Sequence, residues 1–243
     1  MASTSEIGHA KNVANFQDLI EFVTAYGATY NPSKNSLKLP QLIALKASAD
    51  ATLADVITKN TNYNNKVNER ITAFSGLKSL STRLVNALQT TDATTETIGN
   101  AKTFNRKMQG KKASSSQTPT DPNTPAPNTI STSQQSYDQL IQHLAGLTSV
   151  LEAEPSYTPN ETDLQVASIQ TKIADLSTKN TAVATAYTII SNSRIARNET
   201  LYTSAISLVE TALEVKKYVK SVFGATSPQY AQIKSIEFSK PRL

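Results

Sequence analysis

The stretch ETDLQVASIQTKIADLSTKNTAVATAYTIISNSRIARNETLYTSAISLVETALEVKKYVKSVF, residues 161–223, contains neither glycine nor proline. Leu164, Ile169, Ile173, Leu176, Val183, Tyr187 and Ile190 run through its first part, and Tyr202, Ile206, Val209, Leu213 and Val219 through its second. Most of these spacings are three, four or seven residues, which gathers apolar side chains on one face of a helix. Seven glycines in 243 residues also leave few tight hairpin turns for a strand-based fold. A helix of about 35 residues rises about 50 Å.

The same pattern extends outward. Gln41 to Ser75 is a second unbroken run. Shorter amphipathic stripes lie at Val13, Phe16, Ile20 and Val23, and at Tyr137, Leu140, Ile141, Leu144, Leu147 and Leu151. Helix breaks are expected at Ser75-Gly76 and at Ser191-Asn192-Ser193, and Asn160 is expected to cap a helix entered at Glu161. Between the two sets of stripes, residues 113–129 carry four of the ten prolines and almost no large apolar side chain. Such a segment buries too little surface to offset the cost of ordering it, so it reads as an extended linker.

The two flanks resemble each other in order. Asn15-Phe16-Gln17-Asp18-Leu19-Ile20 matches Ser136-Tyr137-Asp138-Gln139-Leu140-Ile141, and Tyr30-Asn31-Pro32-Ser33 matches Tyr157-Thr158-Pro159-Asn160. Residues 54–61 match 174–181, and Asp92-Ala93-Thr94 matches Gly224-Ala225-Thr226. Four matches in one order point to a duplication. The reading is an all-α protein of two tandem related helical-bundle units with long helices, elongated. Residues 1–110 form the first unit, 111–132 the Ser/Thr/Pro-rich linker and 133–243 the second unit.

Gly8-His9-Ala10-Lys11-Asn12-Val13-Ala14-Asn15-Phe16 and Tyr26-Gly27-Ala28-Thr29-Tyr30-Asn31-Pro32-Ser33 resemble the opening of a family of uncharacterised bacterial all-helical proteins. Ser193-Arg194-Ile195-Ala196-Arg197-Asn198 and the closing Tyr218 to Tyr230 are similar to the same family. The resemblance covers most of the chain outside the linker. It implies a duplicated helical architecture and supplies no catalytic residues.

The residues themselves offer little chemistry. Cysteine is absent, which excludes disulfides and thiolate metal sites and fits a reducing compartment. His9 and His143 have no HExxH or ExxH partners, and each reads as a surface or partly buried histidine. No glycine-rich phosphate loop or nucleophile elbow is present. Glu152 with Glu154, and Glu210 with Glu214, read as solvated helix surface. No catalytic, cofactor-binding or metal-binding residue is therefore assigned.

Five cations remain as candidates for contact with an anion or a partner: Lys102, Arg106, Lys107, Arg194 and Arg197. The first three belong to an acid-free basic run that ends at Lys111 and Lys112. They fit either phosphate contact or the C-terminal end of a helix, where cations complement the dipole. Arg194 and Arg197 interrupt an apolar stripe. They read as pairing across the bundle, for example with Glu199 or Glu69, in preference to anchoring a partner. The net charge of +5 resides essentially in residues 1–112.

The opening Met1 to Glu6 lacks a basic region followed by an apolar run, and no stretch has the length of a membrane span, so a cytoplasmic protein is expected. The expected function is that of a non-enzymatic structural or scaffold protein. It would self-associate through helical faces into a homo-oligomer or filament, without a cofactor. The alternative is an adaptor for another protein, or a nucleic-acid-associated protein using the basic first half. Limited proteolysis should cut first within residues 113–132 and yield two large fragments. Primary cuts inside 41–75 or 161–223 would contradict the helical reading.

Overall fold

In a computed structural model, residues 4–110 and 135–241 are described, and they form eight α-helices and no strand. The helices are α1 (Thr4–Ala25), α2 (Leu39–Phe74), α3 (Leu77–Leu88), α4 (Thr95–Gln109), α5 (Tyr137–Glu152), α6 (Val166–Asn198), α7 (Leu208–Phe223) and α8 (Pro228–Lys234). The segment read as a linker lies outside the described residues, as do Lys111 and Lys112. The fold is an all-α helical bundle.

The duplication is visible in the element order. Copy one supplies α1 to α4 and copy two supplies α5 to α8. In each copy the first helix is followed by a loop, a 3-10 turn and a long helix. The 3-10 turns are Asn35–Leu37 and Thr162–Leu164. The two tyrosines of the Tyr-x-Pro motifs do the same work. Tyr30 donates to the Leu37 carbonyl at 2.7 Å, and Tyr157 donates to the Leu164 carbonyl at 2.9 Å. Each bond crosses seven residues and closes the loop against the start of the long helix.

These turns fix the register of α2 against α6. Leu37 corresponds to Leu164, so the buried Leu42, Ala49 and Val56 correspond to the buried Ile169, Leu176 and Val183. The match of 54–61 with 174–181 is therefore displaced by seven residues from structural equivalence. Seven residues are close to two helical turns, so the displaced match keeps the buried face in phase.

The break after Ser75 occurs where expected, with Gly76 at φ +77 starting α3. The break expected at Ser191 to Ser193 does not occur, and α6 continues to Asn198. Ser193 is buried and donates to the Asp55 carboxylate at 2.6 Å, and Ile190, Ser193, Arg197 and Leu201 continue the inner face. Tertiary packing overrides the poor helix propensity of Ser and Asn there. The helix leaves its α geometry at Glu199–Thr203, a π turn. Leu201 and Tyr202 are consecutive and both buried, and the wider turn lets both face inward. Asn160 caps no helix: α6 begins at Val166, after the 3-10 turn.

The compact units do not follow the expected division into 1–110 and 133–243. One unit groups residues 1–63 with 186–243, and the other comprises 64–185. The physical reason is the unbroken α2. With no break between Leu39 and Phe74, α3 and α4 do not fold back onto the α1 of their own copy. Unit one therefore packs α1 against α7 and α8. Unit two packs α5 against α3 and α4. Each unit is built from both copies with equivalent elements.

The core of unit one is formed by Phe16, Leu19 and Val23 of α1 with Val209, Ala212, Val215 and Val219 of α7. In unit two, Leu144, Leu147 and Leu151 of α5 pack with Leu84 and Leu88 of α3 and Met108 of α4. Here α5 approaches α4 at Gly146: a Cβ at that position would lie 2.3 Å from the Phe104 ring. Gly146→Ala gains about 1 kcal/mol of helix propensity, while overpacking costs about 1–3 kcal/mol. We expect a net loss of about 1 kcal/mol by denaturant titration. A variant that outlasts the parent would show that the approach of α5 to α4 does not depend on Gly146.

Candidate functional site

The five candidate cations belong to different units. Lys102, Arg106 and Lys107 stand exposed on α4 of unit two. Arg106 and Lys107 occupy its last turn, which ends at Gly110 in the left-handed region, φ +72. Arg106 donates to Thr103 Oγ1 at 3.0 Å, and the Lys107 ammonium lies 5.8 Å from the centroid of the Phe104 ring. This placement matches the helix-terminus reading, in which the cations complement the carbonyl end of the dipole.

Arg194 and Arg197 lie near the end of α6 in unit one, and their environments differ. Arg194 is exposed and reaches Asn60 Oδ1 at 3.4 Å. Arg197 is 5% exposed and donates to Asn198 Oδ1 at 3.2 and 3.0 Å. In the register set by the 3-10 turns, Arg197 corresponds to Arg70 of α2. The Arg70 guanidinium stacks 4.0 Å from the Tyr137 ring centroid and donates to Asn180 Oδ1 at 3.0 Å. Both copies thus carry an arginine on the inward side of the long helix. Glu69, considered as a partner for these arginines, is held by Lys66 at 2.9 Å and Lys179 at 3.2 Å. Those two lysines hold its carboxyl below the usual glutamate range.

The histidines are more buried than expected. His143 is buried in α5, and His9 is 2% exposed inside α1, well within ordered helix. His9 Nδ1 lies 2.6 Å from the Tyr202 hydroxyl in the π turn. Asn12 donates to the same hydroxyl at 3.2 Å and to the Ser239 carbonyl at 2.7 Å, and the Ser239 amide donates back to Asn12 Oδ1 at 3.1 Å. Asn15 donates to the Glu237 carbonyl at 2.6 Å. This network joins α1, the π turn and the C-terminal tail. Sequence alone assigns Asn12 and Asn15 no role, because their partners in the tail lie 227 and 222 residues away.

Several carboxylates lie in pairs with cations or amides. Glu214 takes Lys34 at 2.8 and 2.6 Å, and Asp163 takes Arg83 at 2.5 and 3.2 Å. Glu210 pairs with Lys240, and Glu154 accepts from the amide and hydroxyl of Ser156. Among the described residues no group of three or more His, Asp or Glu is placed to hold a metal ion. A cleft of about 500 Å³ in unit one is lined by Leu45, Ser48, Glu199, Thr200, Thr203, Ser204 and Ile206. It offers hydroxyls and one carboxylate, without a base or nucleophile pair. Among the described residues no helix is long and apolar enough to cross a membrane.

Burial raises the Tyr157 hydroxyl to about 12, with the carboxylates of Glu161 and Asp163 adding to the effect. Burial and the neighbouring Tyr218 raise the Tyr30 hydroxyl as well. Both phenols remain protonated donors to their loop carbonyls over the physiological range.

No family model, curated protein or solved structure matches the chain.

The hydrogen bonds from Arg83 hold the Asp163 carboxyl below its ordinary range. A lowered folded-state value stabilises the fold above the ordinary aspartate range, and the gain is lost as pH falls through the lowered value. Arg83→Gln should lower the melting temperature at about pH 6, and the gap to the parent should close below about pH 4. A gap of equal size at both pH values would mean that Arg83 acts through packing alone.

Proposed function

We propose that this protein is a non-enzymatic structural or scaffold protein that self-associates through helical faces of unit one. One observation carries the reading. Among the described residues nine large apolar side chains are exposed, and eight of them belong to unit one: Ile43, Ile57, Tyr187, Ile189, Ile195, Ile206, Leu213 and Val222. Ile57 is 68% exposed and Ile206 60%. Scattered exposed apolar residues are ordinary, but their concentration in one of two related units is not explained by composition. At three of these positions the other copy holds a polar residue, Gln170 for Ile43, Asn68 for Ile195 and Thr82 for Leu213, and Ile57 is matched by the smaller Ala184. Selection for solubility alone would act on both units alike.

Apolar contacts of this kind are insensitive to salt, and contacts made by Lys102, Arg106 and Lys107 with phosphate weaken as salt rises. A cytoplasmic site of action belongs to the same proposal.

Light scattering after size exclusion, at low and high salt, tests it. The protein at high micromolar concentration should elute as an oligomer at both salt levels, and Ile57→Ser with Ile206→Ser should shift it toward monomer. A strictly monomeric protein would overturn the reading. If it also retained nucleic acid at low salt only, the basic face of α4 would become the functional surface.

A further inference from the structure

We infer that the chain carries a charge code by which each copy docks on the other copy and not on itself. The code consists of the ion pairs Lys34–Glu214 in unit one and Asp163–Arg83 in unit two.

The two joints are the same joint, used twice. In unit one the 3-10 turn of copy one packs on α7 of copy two, and in unit two the 3-10 turn of copy two packs on α3 of copy one. Their apolar parts are interchangeable. Leu37 and Leu164 are equally buried, each beneath a tyrosine bonded to its carbonyl. Leu77, Leu84 and Leu88 of α3 correspond to Leu208, Val215 and Val219 of α7, all buried. Packing of this kind does not tell one copy from the other.

The charges do. With Leu77 set against Leu208, Arg83 corresponds to Glu214. With Leu37 set against Leu164, Lys34 corresponds to Glu161, two residues before Asp163. Glu161 itself acts on the Arg83 guanidinium. The pole is thus reversed between the joints. In unit one the turn is positive and the helix negative. In unit two the turn is negative and the helix positive. Docking of each copy on itself would set Lys34 against Arg83, and Glu161 and Asp163 against Glu214. Both joints would then bring like charges together.

A single exposed pair adds little to stability. Discrimination is larger, because attraction changes to repulsion at two joints at once. The apolar halves of the joints are shared by both arrangements, so this difference falls entirely on the choice of partner.

The test keeps the chain at full length, with a specific protease site placed within residues 113–132. The protein is unfolded, refolded by rapid dilution, cut and passed through size exclusion. The parent should elute as one species containing both halves, because each unit contains both copies. Lys34→Glu with Glu214→Lys preserves the native pair with its poles exchanged, but it makes docking of each copy on itself equally attractive. Because the unbroken α2 keeps a copy from folding back on itself, like copies pair between two chains, and the fraction eluting as species larger than one chain when the cut is omitted should rise about tenfold, while the correctly paired fraction melts like the parent. Adding Arg83→Glu, Glu161→Lys and Asp163→Lys inverts the whole code and should restore parental refolding. Arg83→Asp with Asp163→Arg erases the code from the other joint and serves if the first variant does not fold. Parental refolding by a pole-exchanged variant overturns the proposal. So does a loss of pairing that the full inversion does not recover.

Discussion

Thirty-six residues of uninterrupted helix, α2 from Leu39 to Phe74, determine where everything else in the structure goes. Its centre is a poor helix on intrinsic grounds. Asn60, Thr61, Asn62, Asn64 and Asn65 all favour local turns over helix interior. Packing holds it helical: Tyr63 meets Tyr187 with ring centroids 5.9 Å apart, and Arg194 reaches Asn60. Because α2 does not bend back, α3 belongs to a different compact unit from α1. The apolar face of α1 is then buried by α7, and that of α5 by α3 and α4. The crossed composition of the units follows from the absence of a helix break.

On this shared frame the two units have diverged chemically. Unit two brings α4 and α5 together at Gly146, where the Phe104 ring takes the place of a side chain. Unit one instead uses polar bonds. His9, Asn12 and Asn15 bind the π turn and the tail at Glu237 and Ser239, and Lys216 donates to the carbonyls of Lys234 and Ile236. Burial under that tail holds the Lys216 ammonium below its usual value. Unit one also carries nearly all the exposed apolar side chains, so the two units share a skeleton and differ in what they present to the surroundings.

Much of the fold was legible because helical periodicity is a local property. The absence of Gly and Pro across residues 161–223, the Gly76 break and the two Tyr-x-Pro loops all carried through into structure. What failed depended on distant contacts. Ser191 to Ser193 looks like a break until Asp55 supplies a partner for Ser193. Residues 54–61 look equivalent to 174–181 because a seven-residue displacement leaves the buried face unchanged. The division at the linker assumed that neighbours in sequence pack together, and the unbroken α2 prevents that. Of the candidate cations, Arg106 and Lys107 lie in the last turn of α4, and Lys102 lies in its middle. Arg197 is buried, and its counterpart, Arg70, was identifiable only once the register was known.

The distribution of charged groups bears on what kind of protein this is. Lys34–Glu214, Arg83–Asp163 and Lys179–Glu69 each join a residue of one copy to a residue of the other. Lys46–Asp50, Lys59–Asp55 and Lys66–Glu69 lie along a single helix. Arg70 with Asn180, and Ser193 with Asp55, again cross between copies. Exposed ion pairs contribute little to stability, but their signs and positions restrict which surfaces can meet. Small residues and a shared apolar pattern would let duplicated helices dock in several registers, and directional polar groups at each joint remove that freedom. Among the described residues three of these ion pairs, with the bonds of Arg70 and Ser193, fix one copy against the other. That use of charge supports the scaffold proposal, in which one defined surface is presented.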